Sequence, residues 1–155
     1  MKKLFVSLIL IAVFSIPAWC QTATVTALSQ INTTTVFVDW VADALGDVSV
    51  TIDATTTGLD LTKPLYGLLC INAETAPGVP APTALYDVVI TDEHGYDIFG
   101  AGLTDRSATL AEVSVPAFTA GVSLIYGGFP IRNTWTVTIS NAGNGGAGLL
   151  EIVFK

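Results

Sequence analysis

The densest group of ionisable side chains in the chain is Asp87 together with Thr91-Asp92-Glu93-His94-Gly95-Tyr96-Asp97. Asp92, Glu93 and Asp97, gathered at one tight turn, are the kind of oxygen donors that calcium collects in sets of roughly 6 to 8. Their spacing matches no EF-hand loop. The same residues read more simply as the tip of a hairpin joining Tyr86–Thr91 to Tyr96–Phe99, with Gly95 supplying the positive φ of the turn. The hairpin is the expectation and calcium on Asp92, Glu93 and Asp97 the alternative; no cofactor is expected.

Catalytic arrangements fare worse. The acid and base carboxylates of a glycosidase face each other across a cleft at about 5 to 9.5 Å, usually from separate elements, whereas neighbours on one hairpin tip face solvent. His94 is the sole histidine, so no second one completes a zinc site. Cys70 stands in the apolar stretch Leu65–Ile71 and reads as a buried small hydrophobe, not as the partner of His94. A Gly-x-Ser-x-Gly elbow is absent. The loop Gly100-Ala101-Gly102-Leu103-Thr104 lacks the lysine and following helix of a phosphate cradle, and Asp105-Arg106 after it is expected to form a local ion pair or turn in a mobile loop. No catalytic residue is assigned, and the chain is expected not to be an enzyme.

Aromatic residues offer a different chemistry, stacking on a sugar or a protein partner. Trp40 and Trp135 fall on the apolar faces of alternating stretches and are expected in the core. Tyr96, Tyr126 and Phe129 stand beside glycine turns, free to meet a partner, and are the candidates for interaction.

The elements that would position these groups are short strands. Asn133–Ser140 places Trp135, Val137 and Ile139 on one face and threonines on the other, the period of a half-buried strand. Asp47–Ile52 repeats this with Val48, Val50 and Ile52, and Val36, Val38 and Trp40 do likewise. Further strands are expected at Thr22–Leu28, Leu65–Asn72, Tyr86–Thr91, Tyr96–Phe99, Ala108–Val115, Val122–Tyr126 and Leu149–Phe154. Gly, Pro and Asn clusters at 77–82, 93–95, 127–130 and 141–146 separate them. Without a crossover helix, such a chain is all-β, an antiparallel β-sandwich or jelly-roll-like domain.

Ahead of it, Lys2 and Lys3 precede an apolar run, Leu4 to Ile16, interrupted only by Ser7 and Ser15 and followed by Pro17-Ala18-Trp19-Cys20. A charged start, an apolar centre and a small-residue exit make a secretory signal, too short for a span of about 20 apolar residues. Residues 1–20 are expected to form a cleaved signal helix and residues 21–155 one domain. Cleavage after Ala23, an acylated Cys20 and an uncleaved anchor are the rivals; Trp19 before the cysteine and Pro17 in the run speak against the last two. The expected location is periplasmic, extracellular or particle-associated.

Formal net charge is −7 and basic residues number 6. Two of those leave with the leader, and Lys63, Arg106, Arg132 and Lys155 make no patch. Nucleic acid and, once the leader is cleaved, membrane are therefore not expected as partners. Charged residues are only 12% of the chain, which leaves neutral, threonine-rich surface that is readily buried against a neighbour.

From about Leu69 to Lys155 the chain resembles a group of bacteriophage and prophage proteins regarded as virion structural proteins. The resemblance rests on the Pro77–Pro82 stretch, on Tyr86-Asp87-Val88-Val89-Ile90-Thr91-Asp92-Glu93-His94-Gly95-Tyr96-Asp97-Ile98-Phe99-Gly100, on Asp105-Arg106-Ser107-Ala108-Thr109, and on Thr136-Val137-Thr138-Ile139-Ser140-Asn141-Ala142-Gly143-Asn144. It implies a β-rich structural protein without catalysis, and transfers no catalytic residue. A secretory leader departs from that pattern, and residues 21–60 carry no part of it. The expected function is an exported structural or assembly protein of phage-like type, packing with itself or a larger particle. The alternative is a secreted binding module that recognises a glycan or a surface protein through its loops.

Overall fold

The computed structural model describes residues 20–29, 33–53, 69–120, 123–126, 129–130 and 134–155. The leader helix, Lys63, Tyr66 and Arg132 lie outside these residues, as do the side chains of Tyr126 and Phe129. Among the described residues there is no helix, and the strands are β1 (Thr22–Ser29), β2 (Thr34–Val41), β3 (Val48–Ile52), β4 (Leu69–Pro77), β5 (Asp87–Thr91), β6 (Glu112–Ser114), β7 (Ala117–Ala120), β8 (Ser123–Tyr126), β9 (Phe129–Pro130), β10 (Trp135–Ser140) and β11 (Ala147–Phe154).

They form two larger antiparallel sheets and a hairpin. One sheet runs β1-β2-β11-β4-β6, with β9 also on β4; the other runs β3-β10-β5; β7 pairs with β8. The chain therefore interleaves: β11, last in sequence, lies between β2 and β4, and β10 lies between β3 and β5. β6 meets Ala73–Thr75 and β9 meets Leu69–Cys70 on β4, in the same direction. Together they are one interrupted strand from which the β7–β8 hairpin loops out.

Period-two patterning decides which face of each strand turns inward. Thr34, Val36, Val38 and Trp40 of β2 are buried, as are Leu150, Ile152 and Phe154 of β11 and Trp135, Val137 and Ile139 of β10. The inward faces of both sheets share one core. Trp135 of β10 lies 4.9 Å from Phe154 of β11, centroid to centroid, and Trp40 of β2 lies 5.7 Å from Tyr86 at the foot of β5. Both tryptophans and Cys70 are core residues, as the alternation predicts.

Several sequence expectations need correction. Tyr96–Phe99 is not a strand: a single bridge joins Thr91 to Asp97, after which residues 98–103 turn. The Asp97 carboxylate is the cause, because it accepts from the amides of Phe99 at 2.9 Å and Ala101 at 2.7 Å and so bends the chain. Of Ala108–Val115 only Glu112–Ser114 pairs, since Ser107 Oγ accepts from the amides of Thr109 and Leu110 and holds that stretch in a turn. β4 begins at Leu69 and continues through Ala73 and Thr75, both inward, to Pro77; residues 65–68 lie outside the described residues. Phe129-Pro130, read as punctuation, pairs with β4, and Ala117–Ala120 is a strand that the alternation did not announce.

The turning segment has a role of its own. Ile98 N donates to Ile90 O, Val88 N to Leu103 O, and Arg106 N to Tyr86 O, at 2.9, 2.9 and 2.7 Å. Residues 97–106 thus cover the outer edge of β5 as an irregular fourth member of the smaller sheet, satisfying amides that an open edge would expose.

Candidate functional site

The acidic turn after β5 is built from its own carboxylates. Asp92 Oδ1 accepts from the amides of His94 and Tyr96, both at 2.9 Å, and Gly95 takes φ +81°. Gly95 takes the positive φ expected of it; that the Asp92 carboxylate holds the turn instead of facing solvent, and that no ladder follows, were not expected. Asp97 caps the following turn with both oxygens. Asp87 Oδ1 accepts from Asp105 N and its Oδ2 from Asn141 Nδ2, each at 2.9 Å. Glu93 Oε1 and Asp92 Oδ2 lie 3.7 and 3.8 Å from His94 Nδ1, contacts that become ion pairs when the imidazole is protonated. Backbone amides thus occupy oxygens that a cation would need. No group of three or more His, Cys, Asp or Glu side chains among the described residues is placed to hold a metal ion.

The same habit organises the β2–β3 turn. Asp43 Oδ1 accepts from Leu45 N at 2.8 Å and Asp47 N at 3.0 Å, and the bond from Asp47 is the main reason that the Asp43 carboxyl sits below its ordinary range.

A second polar cluster is buried, with little sign of it in the sequence. Arg106 is only 6% exposed. Its Nε donates to Thr75 Oγ1 at 3.0 Å, and its Nη1 donates to Ser114 Oγ at 3.2 Å and to Gly102 O at 3.3 Å. Glu112 Oε2 lies 3.5 Å from Nε and accepts from Ser107 N at 2.6 Å. Arg106 is therefore not a mobile-loop residue paired with Asp105; it ties the segment covering β5 to β4 and β6 of the larger sheet. Beside it, burial raises the Tyr86 phenol above its ordinary pKa, opposed by a hydrogen bond with Thr75 and the Arg106 charge. The one sequence signal was scarcity: where bases are so few, each is a candidate for a structural pairing.

Of the interaction candidates, Tyr96 is 68% exposed, its ring 6.5 Å from that of His94. A larger exposed surface is the outward face of the six-stranded sheet. Cross-strand register aligns Thr26, Phe37, Glu151, Glu74 and Val113 in one row, Thr24, Asp39, Leu149 and Ala76 in the next, and Leu28, Thr35, Val153 and Asn72 on the other side. Leu28, Val113 and Leu149 are exposed there. The charges in these rows are carboxylates alone, and Glu74 and Glu151 stand directly opposite each other, a repulsive pairing in a sheet. The arrangement can dock onto a neighbour; it holds no nucleophile with a base.

Comparison of the chain with protein-family models, with curated proteins and with solved structures finds no match.

Proposed function

We propose that the chain is an exported, non-enzymatic structural or assembly protein of phage-like type, a jelly-roll-like sandwich that packs with copies of itself or with a larger particle. The observation that carries this is the exposed part of the six-stranded sheet, its uncharged edge strand β1 together with Leu28, Val113 and Leu149 on the outward face. Exposed apolar side chains and an uncharged strand on a rigid sheet suit docking. The strand order supports the sandwich form: with residues 97–106 beside β5, the interleaving of β11 and β10 is that of a wrapped double Greek key. Within the export reading, the contacts of the first strand favour the earlier of the two cleavage positions. β1 begins at Thr22, and Gln21 Oε1 accepts from Ser49 N of β3 at 2.9 Å. Cleavage after Cys20 removes the leader and leaves this contact whole, whereas cleavage after Ala23 would remove it together with the first ladder residues.

Size-exclusion chromatography with light scattering on the exported protein, followed by electron microscopy of any large species, tests the proposal. Oligomers or regular particles are expected. A strict monomer at the highest soluble concentration, with no affinity for particles, would overturn it. The exposed ring of Tyr96 beside His94 favours the second reading, a secreted module binding a glycan or surface protein, and glycan-array binding abolished by Tyr96→Ala is the result that would select it.

A further inference from the structure

The edges of the two larger sheets are not alike. β5 is covered by residues 97–106, the outer edge of β4 carries the short β6 and β9, and β3 has Ser49 N capped by the Gln21 side chain. Among the described residues, β1 carries none of these protections. Its 8 residues, Thr-Ala-Thr-Val-Thr-Ala-Leu-Ser, span about 27 Å at roughly 3.4 Å per residue. They contain no charge and no proline, and the register with β2 is continuous from Thr22↔Val41 to Ser29↔Thr34, without a bulge. Among the described residues β1 pairs with β2 alone. Natural proteins blunt open edges with lysine, proline, bulges or brevity, and an edge without them is a template for another strand.

We propose that this edge pairs with the β1 edge of a second copy, antiparallel about a two-fold axis, joining the six-stranded sheets of two protomers into one. The inference rests on the self-assembly reading and specifies its geometry. Charge selects the occupant. Stacking two outward faces would bring Asp39, Glu74 and Glu151 against their own copies across about 10 Å, with no base in those rows to answer them. The β1 edge carries no charge to repel its copy, and from Leu4 to Val38 the chain has no charged residue at all. A basic partner would find no carboxylate on it. Asp39, the nearest acid, lies one strand in from the edge, so the two copies of it stay about 14 Å apart or more, three strand spacings of about 4.8 Å, beyond the Debye length of about 8 Å.

The sequence is also self-complementary. Residues opposite each other in an antiparallel ladder point to the same face, so the pairing must match like parity. Centred on Val25, it sets Ala23 against the partner's Ala27 on the inward side, and Thr24 against the partner's Thr26 and Thr22 against the partner's Leu28 on the outward side. Threonine pairs of this kind stabilise sheets.

The test uses the chain expressed with its own leader and recovered after export. Light scattering should show a dimer or a multiple of it. Thr24→Glu with Thr26→Glu, and separately Thr24→Lys with Thr26→Lys, put like charges opposite each other twice per interface while both side chains remain exposed. Each variant should keep the parent fold by circular dichroism and weaken the dimer by about tenfold or more. Mixing the two variants should restore it, because every Glu then faces a Lys; restoration also shows that each variant is folded. A parent dimer unchanged by both pairs of substitutions would overturn the edge pairing and leave self-assembly through another surface standing. A monomeric parent would overturn both.

Discussion

Arg106 Nε and Thr75 Oγ1 meet at 3.0 Å across 31 residues of sequence, inside the protein. This bond joins the segment that covers β5 to the middle of β4. Removing one partner of a buried, hydrogen-bonded charge leaves the remaining groups unsatisfied, which costs about 3 kcal/mol or more. Arg106→Ala should lower stability by about that amount in urea unfolding. Thr75→Val, which keeps shape and deletes the hydroxyl, should cost about 1 to 3 kcal/mol. The double variant should be less destabilised than the sum, because the two share one interaction; strict additivity would show that they act independently.

Burial raises the Cys70 thiol from 9.0 to about 12. Its folded pKa lies above the unfolded value, so the native state prefers the neutral thiol. The contribution is fully present below pH 9.0 and is lost as pH rises from there toward about 12. Tyr86, also raised by burial, adds a loss of the same sign above pH 10.0. Denaturation curves between pH 8 and 11 should show falling stability, flatter in Cys70→Ala with Tyr86→Phe. A thiol reagent should modify Cys70 only on unfolding, and rapid modification of the native thiol would contradict its burial.

The acidic turns should behave as caps. Asp97→Ala strips two amides of their acceptor and should cost about 1 to 3 kcal/mol, with Asp92→Ala similar and Glu93→Gln within about 0.5 kcal/mol. Calcium should leave the melting temperature of the parent unchanged. A rise with calcium that chelator removes, and that Asp92→Asn and Asp97→Asn abolish, would establish the metal site instead.

Gly148 stands in β11 directly under Trp40. A Cβ built there would lie 2.5 Å from Trp40 Cζ2 and 2.9 Å from Ala76 O. Gly148→Ala must therefore displace a buried ring or a paired strand, at about 1 to 3 kcal/mol. Gly95→Ala meets no neighbour and carries only the strain of φ +81°, about 1 to 2 kcal/mol. Melting temperatures check both, and a Gly148→Ala variant that melts like the parent would refute the close approach at Gly148.

The sequence by itself determined the inward faces of β2, β3 and β10. Alternation at β2, β3 and β10 follows from the pleat, which sends successive side chains to opposite sides whatever the neighbours are, so Trp40 and Trp135 were legible as core. Local chemistry was equally legible at Gly95, where the turn requires a positive φ whatever surrounds it. Tertiary structure alone decided the rest. Tyr96–Phe99 has strand composition; the Asp97 carboxylate bends it locally, but only the bonds from Ile98 N to Ile90 O and from Val88 N to Leu103 O lay it over the β5 edge. Arg106 reads as a loop residue until Thr75, Glu112 and Ser114 surround it, contacts set by the pairing of β4 with β6. That β1 has one neighbour among the described residues is likewise invisible in its sequence, because whether a strand has one neighbour or two depends on which distant segments the fold brings beside it.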